Sequence, residues 1–196
     1  MLYDIIKPYR LILASQSPRR QYLLKELGLD FEVKLPPDVK EEFPTHLKGE
    51  EIPTYLSKLK AEAYRPLMKE NDIVITADTI VYLNNKVLGK PADHDDAVRM
   101  IRQLSGNCHI VYTGVSITTP SKQRTFCAET NVYFRSLTEE EINFYITTCK
   151  PFDKAGAYGV QEWIGYTAIE RLEGSYFNVM GLPIDRLWVE LEAFLS

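Results

Sequence analysis

Four short stretches of this chain place charged and hydroxyl side chains where they could act on an anion. The first, Ser15-Gln16-Ser17-Pro18-Arg19-Arg20, follows directly on the apolar run Leu11 to Ala14. At a strand-to-helix junction, free backbone N–H groups and the positive end of the helix dipole favour negative charge. Ser15, Ser17, Arg19 and Arg20 therefore read as a phosphate cradle; the plainer alternative is a helix capped by its serines beside two solvated arginines. The second is Asp78, embedded in Ile73-Val-Ile-Thr-Ala-Asp-Thr-Ile-Val81. A carboxylate there is costly unless it is paired, hydrogen-bonded or bound to metal. It could hold a divalent cation that bridges phosphate oxygens, accept a proton from an attacking water, or be satisfied by backbone N–H groups at a strand end.

The third stretch, Leu88-Gly89-Lys90-Pro91, presents a lysine in a loop fixed by Gly and Pro, although a lysine in a turn is ordinarily just solvated. The fourth, Asp153-Lys154-Ala-Gly156-Ala-Tyr158-Gly159-Val-Gln161, combines groups for anion and base recognition with glycines that let backbone approach a ligand. Lys154 could face phosphate, and Gln161 offers the amide donor and acceptor that the edge of a pyrimidine base requires. A tight turn between helix and strand would use the glycines but needs neither the Asp-Lys pair nor Gln161. His46, His94 and His109 lack metal-ligand spacing, and Cys108 and His109, adjacent in a strand, should point to opposite faces. Neither a Walker-type glycine loop nor a Gly-x-Ser-x-Gly elbow occurs, and Trp163, Tyr166 and Tyr176 read as core residues.

The elements that must position these groups follow from pattern. Leu11 to Ala14 is a buried strand; Ser17 caps a helix with Pro18 first, Leu23, Leu24 and Leu27 inward and Gly28 at its stop. A second strand spans about Phe31 to Leu35, before a Pro- and acid-rich loop from Pro36 to Glu51. Pro53 starts a helix with Leu56, Leu59 and Ala63 on one side and Lys58 and Lys60 among them. Asp72 to Leu83 is a long β run turned by Asn84-Asn85, and Ala92 to Leu104 is a helix ended by Gly106. His109 to Thr119 and Thr125 to Arg135 form an antiparallel pair. Thr138 to Glu141 is a capping box opening a helix to about Cys149, and a last helix from Pro183 turns Ile184, Leu187, Trp188, Leu191 and Phe194 inward. Strands alternate with helices early and pair with each other later, which predicts an α/β fold with a mixed sheet.

Composition sets the outer bounds. A chain of 196 residues with 45% hydrophobic and 26% charged residues is globular and can bury a real core. A net charge of -4 argues against coating nucleic acid yet allows a few cations focused on a small anion. Three scattered cysteines suggest neither a disulfide framework nor a zinc site, and no apolar run approaches the length of a membrane span. The expectation is a cytoplasmic protein whose residues 1–196 form one domain without repeats or a dividing linker.

Taken together, Leu-Ala-Ser15-Gln-Ser17-Pro18-Arg19-Arg20, Ala-Asp78-Thr79-Ile-Val, Leu-Gly89-Lys90-Pro91, Leu-Ser105-Gly106-Asn-Cys-His109-Ile-Val-Tyr-Thr113-Gly114-Val, Asp153-Lys154-Ala-Gly-Ala-Tyr158-Gly159-Val-Gln161 and Gly174-Ser-Tyr-Phe-Asn178-Val-Met-Gly181-Leu-Pro183 resemble the Maf family in order and spacing. The resemblance runs from about residue 10 to 190. It implies a Maf fold similar to that of inosine triphosphate pyrophosphatases: an elongated mixed sheet flanked by helices, with a cleft between two lobes. It also implies hydrolysis of a nucleoside triphosphate between the α and β phosphates, with Mg²⁺ or Mn²⁺. By the same carry-over Asp78 looks like the general base, and Arg19, Arg20, Lys60, Lys90 and Lys154 look like phosphate or active-site ligands. Ser15 sits in the phosphate loop, and Glu41, in Asp38-Val-Lys-Glu41, matches an acidic position thought to help hold the metal. Arg19, Thr79 and Gln161 match the set associated with dTTP and UTP. Lys40, where an Asp is common, and Glu162-Trp163, where a Gly is usual, depart from the pattern. A nucleotide-binding regulator of cell division with little turnover, and a pyrophosphatase for 7-methyl-GTP or other modified nucleotides, are the alternatives. Family members are often homodimers.

Overall fold

The computed structural model describes residues 1–35 and 39–196; Pro36, Pro37 and Asp38, at the start of the acid-rich loop, lie outside the described residues. In chain order the elements are α1 (Leu2–Ile5), β1 (Arg10–Leu13), α2 (Pro18–Glu26), β2 (Glu32–Val33), α3 (Glu51–Tyr64), β3 (Asp72–Leu83), β4 (Lys86–Leu88), α4 (His94–Leu104), β5 (Cys108–Thr118), β6 (Gln123–Phe134), α5 (Glu139–Cys149), α6 (Trp163–Ala168), β7 (Ile169–Glu173), α7 (Tyr176–Met180) and α8 (Ile184–Leu195). The strands pair in the order β2-β1-β3-β5-β6-β7, with β4 on β3. β1 runs parallel to β2 and β3, whereas β3–β4 and β6–β7 are antiparallel, so the sheet is mixed and the fold α/β. No helix among the described residues is long and apolar enough to cross a membrane.

The chain divides into two units. The first comprises Met1–Asp78, Thr113–Ala128 and Gly181–Ser196. Here β1 and β3 pair in a register that sets Arg10 opposite Asp72, and the Arg10 guanidinium donates to both Asp72 oxygens at 2.8 and 2.7 Å. Ile12, Ala14, Val74 and Tyr64 pack together behind these strands. A fully buried aliphatic side chain such as Ile12 or Ile75 contributes about 2 kcal/mol relative to exposure.

Helix α3 begins at Glu51 rather than at Pro53; of the expected Leu56, Leu59 and Ala63 only Leu56 is fully buried, and it is joined there by Ile52, Ser57, Ala61 and Tyr64. The helix is rotated because Ser57, not Leu59, faces the sheet. Ser57 Oγ donates to the Thr54 carbonyl at 2.9 Å and so accepts from Ser116 Oγ, which accepts in turn from Thr125 Oγ1; Thr76 Oγ1 donates to the Ser57 carbonyl at 2.7 Å. The approach is possible because position 114 is glycine: a Cβ there would lie 2.2 Å from the Pro53 carbonyl oxygen.

The second unit comprises Thr79–Tyr112 and Glu129–Met180. Asn84 and Asn85, with φ of 50° and 61°, make the tight turn from β3 to β4. α4 and α5 cover a core that includes Val81, Met100, Ile101, Val132, Phe134, Ile142, Tyr145 and Ile146. α4 starts two residues later than the pattern predicts, capped by the Asp93 side chain on the Asp96 N–H, and α5 opens with the full capping box of Thr138 and Glu141. Cys108 is exposed and His109 buried, as their alternation requires. Burial holds the His109 imidazole neutral, its pKa lowered to about 3, and its Nε2 lies 2.7 Å from the Tyr158 hydroxyl.

Several expectations need correction. β2 spans only Glu32–Val33, with both residues exposed, because the segment supplies no inward apolar alternation. The short α6 and α7 and strand β7 are absent from the sequence reading, since helices this short carry no full amphipathic period. Tyr166 and Tyr176 are not core residues: they are 77% and 38% exposed, while Trp163 packs edge-on to Phe144.

Substituting Ala for Gly114 should lower stability by about 3 kcal/mol through overpacking against the α3 backbone, read as a shifted denaturation midpoint. A second expectation concerns acid. The Arg135 guanidinium, and secondly the Thr138 N–H, hold the Glu141 carboxyl at about 2, below its ordinary 4.5. A carboxyl lowered on folding stabilises the fold above its unfolded value and loses that contribution as pH falls toward the folded one. The melting-temperature gap between wild type and Glu141→Gln should be full at about pH 6 and shrink from about pH 4.5 downward. A gap that widens on acidification would contradict the pairing.

Candidate active site

In the first unit, β1 delivers Ser15 just beyond its end, buried, and α2 begins with Ser17 at the N-cap and Pro18 behind it. The Ser17 hydroxyl makes no capping bond; instead Ser15 Oγ accepts from the Ser17 N–H at 3.2 Å. The Ser15 carbonyl accepts from Gln21 Nε2 at 3.3 Å. The capping alternative for these serines therefore does not hold. Arg19 is half-buried. Arg20 donates from Nε to the Gly181 carbonyl and from Nη1 to the Ala77 carbonyl, each at 2.8 Å, and so grips the peptide just before Asp78. Burial pulls its pKa below the ordinary guanidinium value, with the Asp78 charge opposing, and it remains a cation.

Asp78 is buried, and its Oδ1 accepts from Lys60 Nζ at 2.6 Å. The same ammonium lies 3.1 Å from Glu41 Oε1. Lys60 and Asp78 side chains are each 11% exposed and Glu41 57%, so the Asp78 contact is the one that water screens least. Glu41 comes from the stretch between β2 and α3, where Lys40 instead turns to Glu42 at 2.6 Å. Asp78 and Glu41 are hard oxygen donors sharing one cationic neighbour. Mg²⁺ ordinarily takes one or two protein carboxylates and completes its shell from phosphate and water. Among the described residues no cluster of three or more His, Cys, Asp or Glu could hold a metal alone, so the pair fits a cation shared with a phosphate ligand.

In the second unit, Thr79 is half-buried on β3 and Lys90 is exposed. The Gly89 carbonyl accepts from the Gly156 N–H at 2.9 Å, which ties the Leu88–Pro91 stretch to the one around Lys154. Gly89 does not fix its loop sterically: a Cβ there would meet nothing, and its φ is not positive. Lys154 is buried, with Nζ 2.7 Å from Asp153 Oδ1 and 2.9 Å from Glu162 Oε1. Glu162 Oε2 accepts from the Tyr145 hydroxyl, which accepts from the Gly159 N–H at 3.1 Å. Burial, then the Glu162 carboxylate, push the Tyr145 pKa up, so it stays a donor. Gln161 Oε1 is buried with no hydrogen-bond partner.

The expected residues thus fall into two sets: Ser15, Ser17, Arg19, Arg20, Glu41, Lys60 and Asp78 in the first unit, and Thr79, Lys90, Lys154 and Gln161 in the second. Tyr145 and the role of Glu162 escape a reading of the sequence. Tyr145 sits in the inward stripe of α5 and looks like core, and Glu162 is visible only as an acid next to Gln161.

A family model described as Maf-like protein matches residues 10–194. A dTTP/UTP pyrophosphatase of Bacteroides thetaiotaomicron is 53% identical over 184 residues, 94% of this chain and 95% of that protein. One from Christiangramia forsetii is 49% identical over 196 residues, the whole of both chains. Among solved structures, a nucleoside-triphosphatase/dITP/XTP pyrophosphatase from Mycobacterium abscessus aligns with a TM-score of 0.47 at 13% identity, covering 94% of this chain and 96% of that one, too distant to bear on function. With a family match along nearly the whole chain and relatives about half identical over their full length, the chain belongs to the Maf family.

Proposed function

We propose that this chain is a cytoplasmic nucleoside triphosphate pyrophosphatase that converts dTTP and UTP to the monophosphate and pyrophosphate. The observation that carries the reading is the buried Asp78, held by Lys60 at 2.6 Å and backed by Arg20 on the preceding carbonyl. A carboxylate so placed is shielded from solvent and fixed by one oxygen, which leaves Oδ2 to meet a water, the geometry a general base needs. In the mechanism, the Ser15–Arg20 stretch and the lysines bind the triphosphate, and Asp78 Oδ2 takes a proton from a water. The water oxygen forms its bond to the α-phosphorus as the bond from that phosphorus to the bridging oxygen breaks. Pyrophosphate departs with the bonding pair, and the proton on Asp78 returns to solvent. Asp78 and Glu41 are the residues that would hold a divalent cation, Mg²⁺ or Mn²⁺, which would supply charge neutralisation. Positioning and charge carry most of the acceleration in phosphoryl transfer.

Base choice rests on Gln161. Thymine and uracil present an N3–H donor where cytosine presents an acceptor, and the buried Gln161 Oε1 is an acceptor without a partner. Lys90 and Lys154 are assigned to phosphate and Thr79 to substrate selection by the family pattern.

Asp78→Asn preserves shape, and its kcat for pyrophosphate release from dTTP should fall about 10³-fold. Turnover within a few-fold of wild type would sink the assigned role, and nucleotide binding without product from wild type would make the protein a binding-only regulator. Gln161→Met should lower kcat/KM for dTTP and UTP by about 10² while leaving that for CTP within a few-fold, since only the former lose a hydrogen bond.

A further inference from the structure

We infer that Glu162 is a positioning residue for Lys154, fixing the ammonium that meets substrate phosphate; the inference rests on the function proposed above. Two carboxylates contact Lys154 Nζ, and they differ in kind. Asp153, at 2.7 Å, has a side chain 62% exposed, so water screens its pull. Glu162, at 2.9 Å, is 21% exposed and is itself anchored, because its other oxygen accepts from the Tyr145 hydroxyl. Tyr145 is fully buried in α5 and is fixed in turn by the Gly159 N–H at 3.1 Å. The chain of contacts therefore runs from a rigid helix through a carboxylate to the lysine. Only the Lys154 end carries a charge that a phosphate could use.

Gly159 shows that the backbone is fitted to this pair. A Cβ at that position would lie 2.9 Å from Glu162 Cδ and 3.1 Å from Lys154 Cε, so a side chain there would require both to shift. A lysine has four side-chain torsions and loses much rotamer freedom when it is held in one place. If the ordering is already done by Glu162 in the free enzyme, less has to be ordered when substrate binds. A carboxylate so close to a phosphate-binding cation also weakens anion binding in the ground state. Its removal should consequently leave affinity unchanged or improved while the chemical step slows, a split that a merely structural ion pair does not produce.

The test is steady-state and single-turnover cleavage of dTTP by wild type, Glu162→Gln, Lys154→Met and the double variant, with melting temperatures recorded for each. Glu162→Gln keeps the acceptor for Tyr145 and removes the charge; its kcat should fall about 10-fold with KM unchanged or lower. In the Lys154→Met background the same change should cost less than about 2-fold, since the residue it positions is gone. Equal losses in both backgrounds, or a Glu162→Gln effect confined to KM, would overturn the inference. Should Glu162→Gln fail to fold, Tyr145→Phe loosens the same carboxylate from its other side without altering charge. Its kcat should fall about 3-fold when Lys154 is present and not in the Lys154→Met background, and an equal fall in both would overturn it too. Wild-type protein that releases no pyrophosphate from dTTP would refute the underlying function instead, so the two failures are distinguishable.

Discussion

A buried acid in the middle of an apolar strand is the constraint to which the first unit answers. Asp78 lies on β3 among Ile75, Ala77 and Ile80, and a carboxyl left without a partner there would carry the full cost of burial. Lys60 prevents this from 2.6 Å, and Lys60 can stand there only because α3 lies close against the sheet. That closeness depends on the missing side chain at Gly114, where the Pro53 carbonyl takes the space, and on Ser57 in place of a larger residue. Arg20, held between the Ala77 and Gly181 carbonyls, fixes the same strand from the side of α2. The strand segment around Asp78 is thus held from two helices, by Lys60 on α3 and Arg20 on α2.

The second unit faces the converse problem, a buried cation. Lys154 is matched by carboxylates of unequal exposure, so part of its compensation is sheltered and part is screened by water. A protein that binds a polyanion benefits from this arrangement. Cations with no anionic neighbour would repel one another and unfold the loops that carry them, whereas cations matched only by rigid anions would have little charge left for a ligand.

Much of this was legible in the sequence, for reasons that can be stated locally. The capping box at Thr138 and Glu141, the Asn84-Asn85 turn and the long run from Asp72 to Leu83 are read correctly because each depends on neighbours in the chain. Asp78 stands out because a charge in an apolar run demands an explanation. What failed depends on contacts distant in sequence. The rotation of α3 follows from Ser116 and Thr76, far from Ser57, and period alone favoured Leu59 over a serine on the inward face. Tyr145 was hidden because an inward tyrosine satisfies hydrophobic pattern whether or not its hydroxyl has work to do, and only the fold brings Glu162 to it.

The hydroxyl chain through Ser57, Ser116 and Thr125 has a mechanical meaning. Two surfaces joined by aliphatic contacts alone can slide past each other by a fraction of an ångström at small cost, because dispersion is indifferent to direction. Hydrogen bonds are directional, and a helix whose Ser57 hydroxyl and carbonyl are met by the Ser116 and Thr76 hydroxyls is indexed to one position, as a detent holds a shaft. Neighbouring core volumes can then drift over evolutionary time without carrying the reach of the helix's lysine along with them. The fine setting of the chemistry is thereby insulated from the coarse packing that surrounds it.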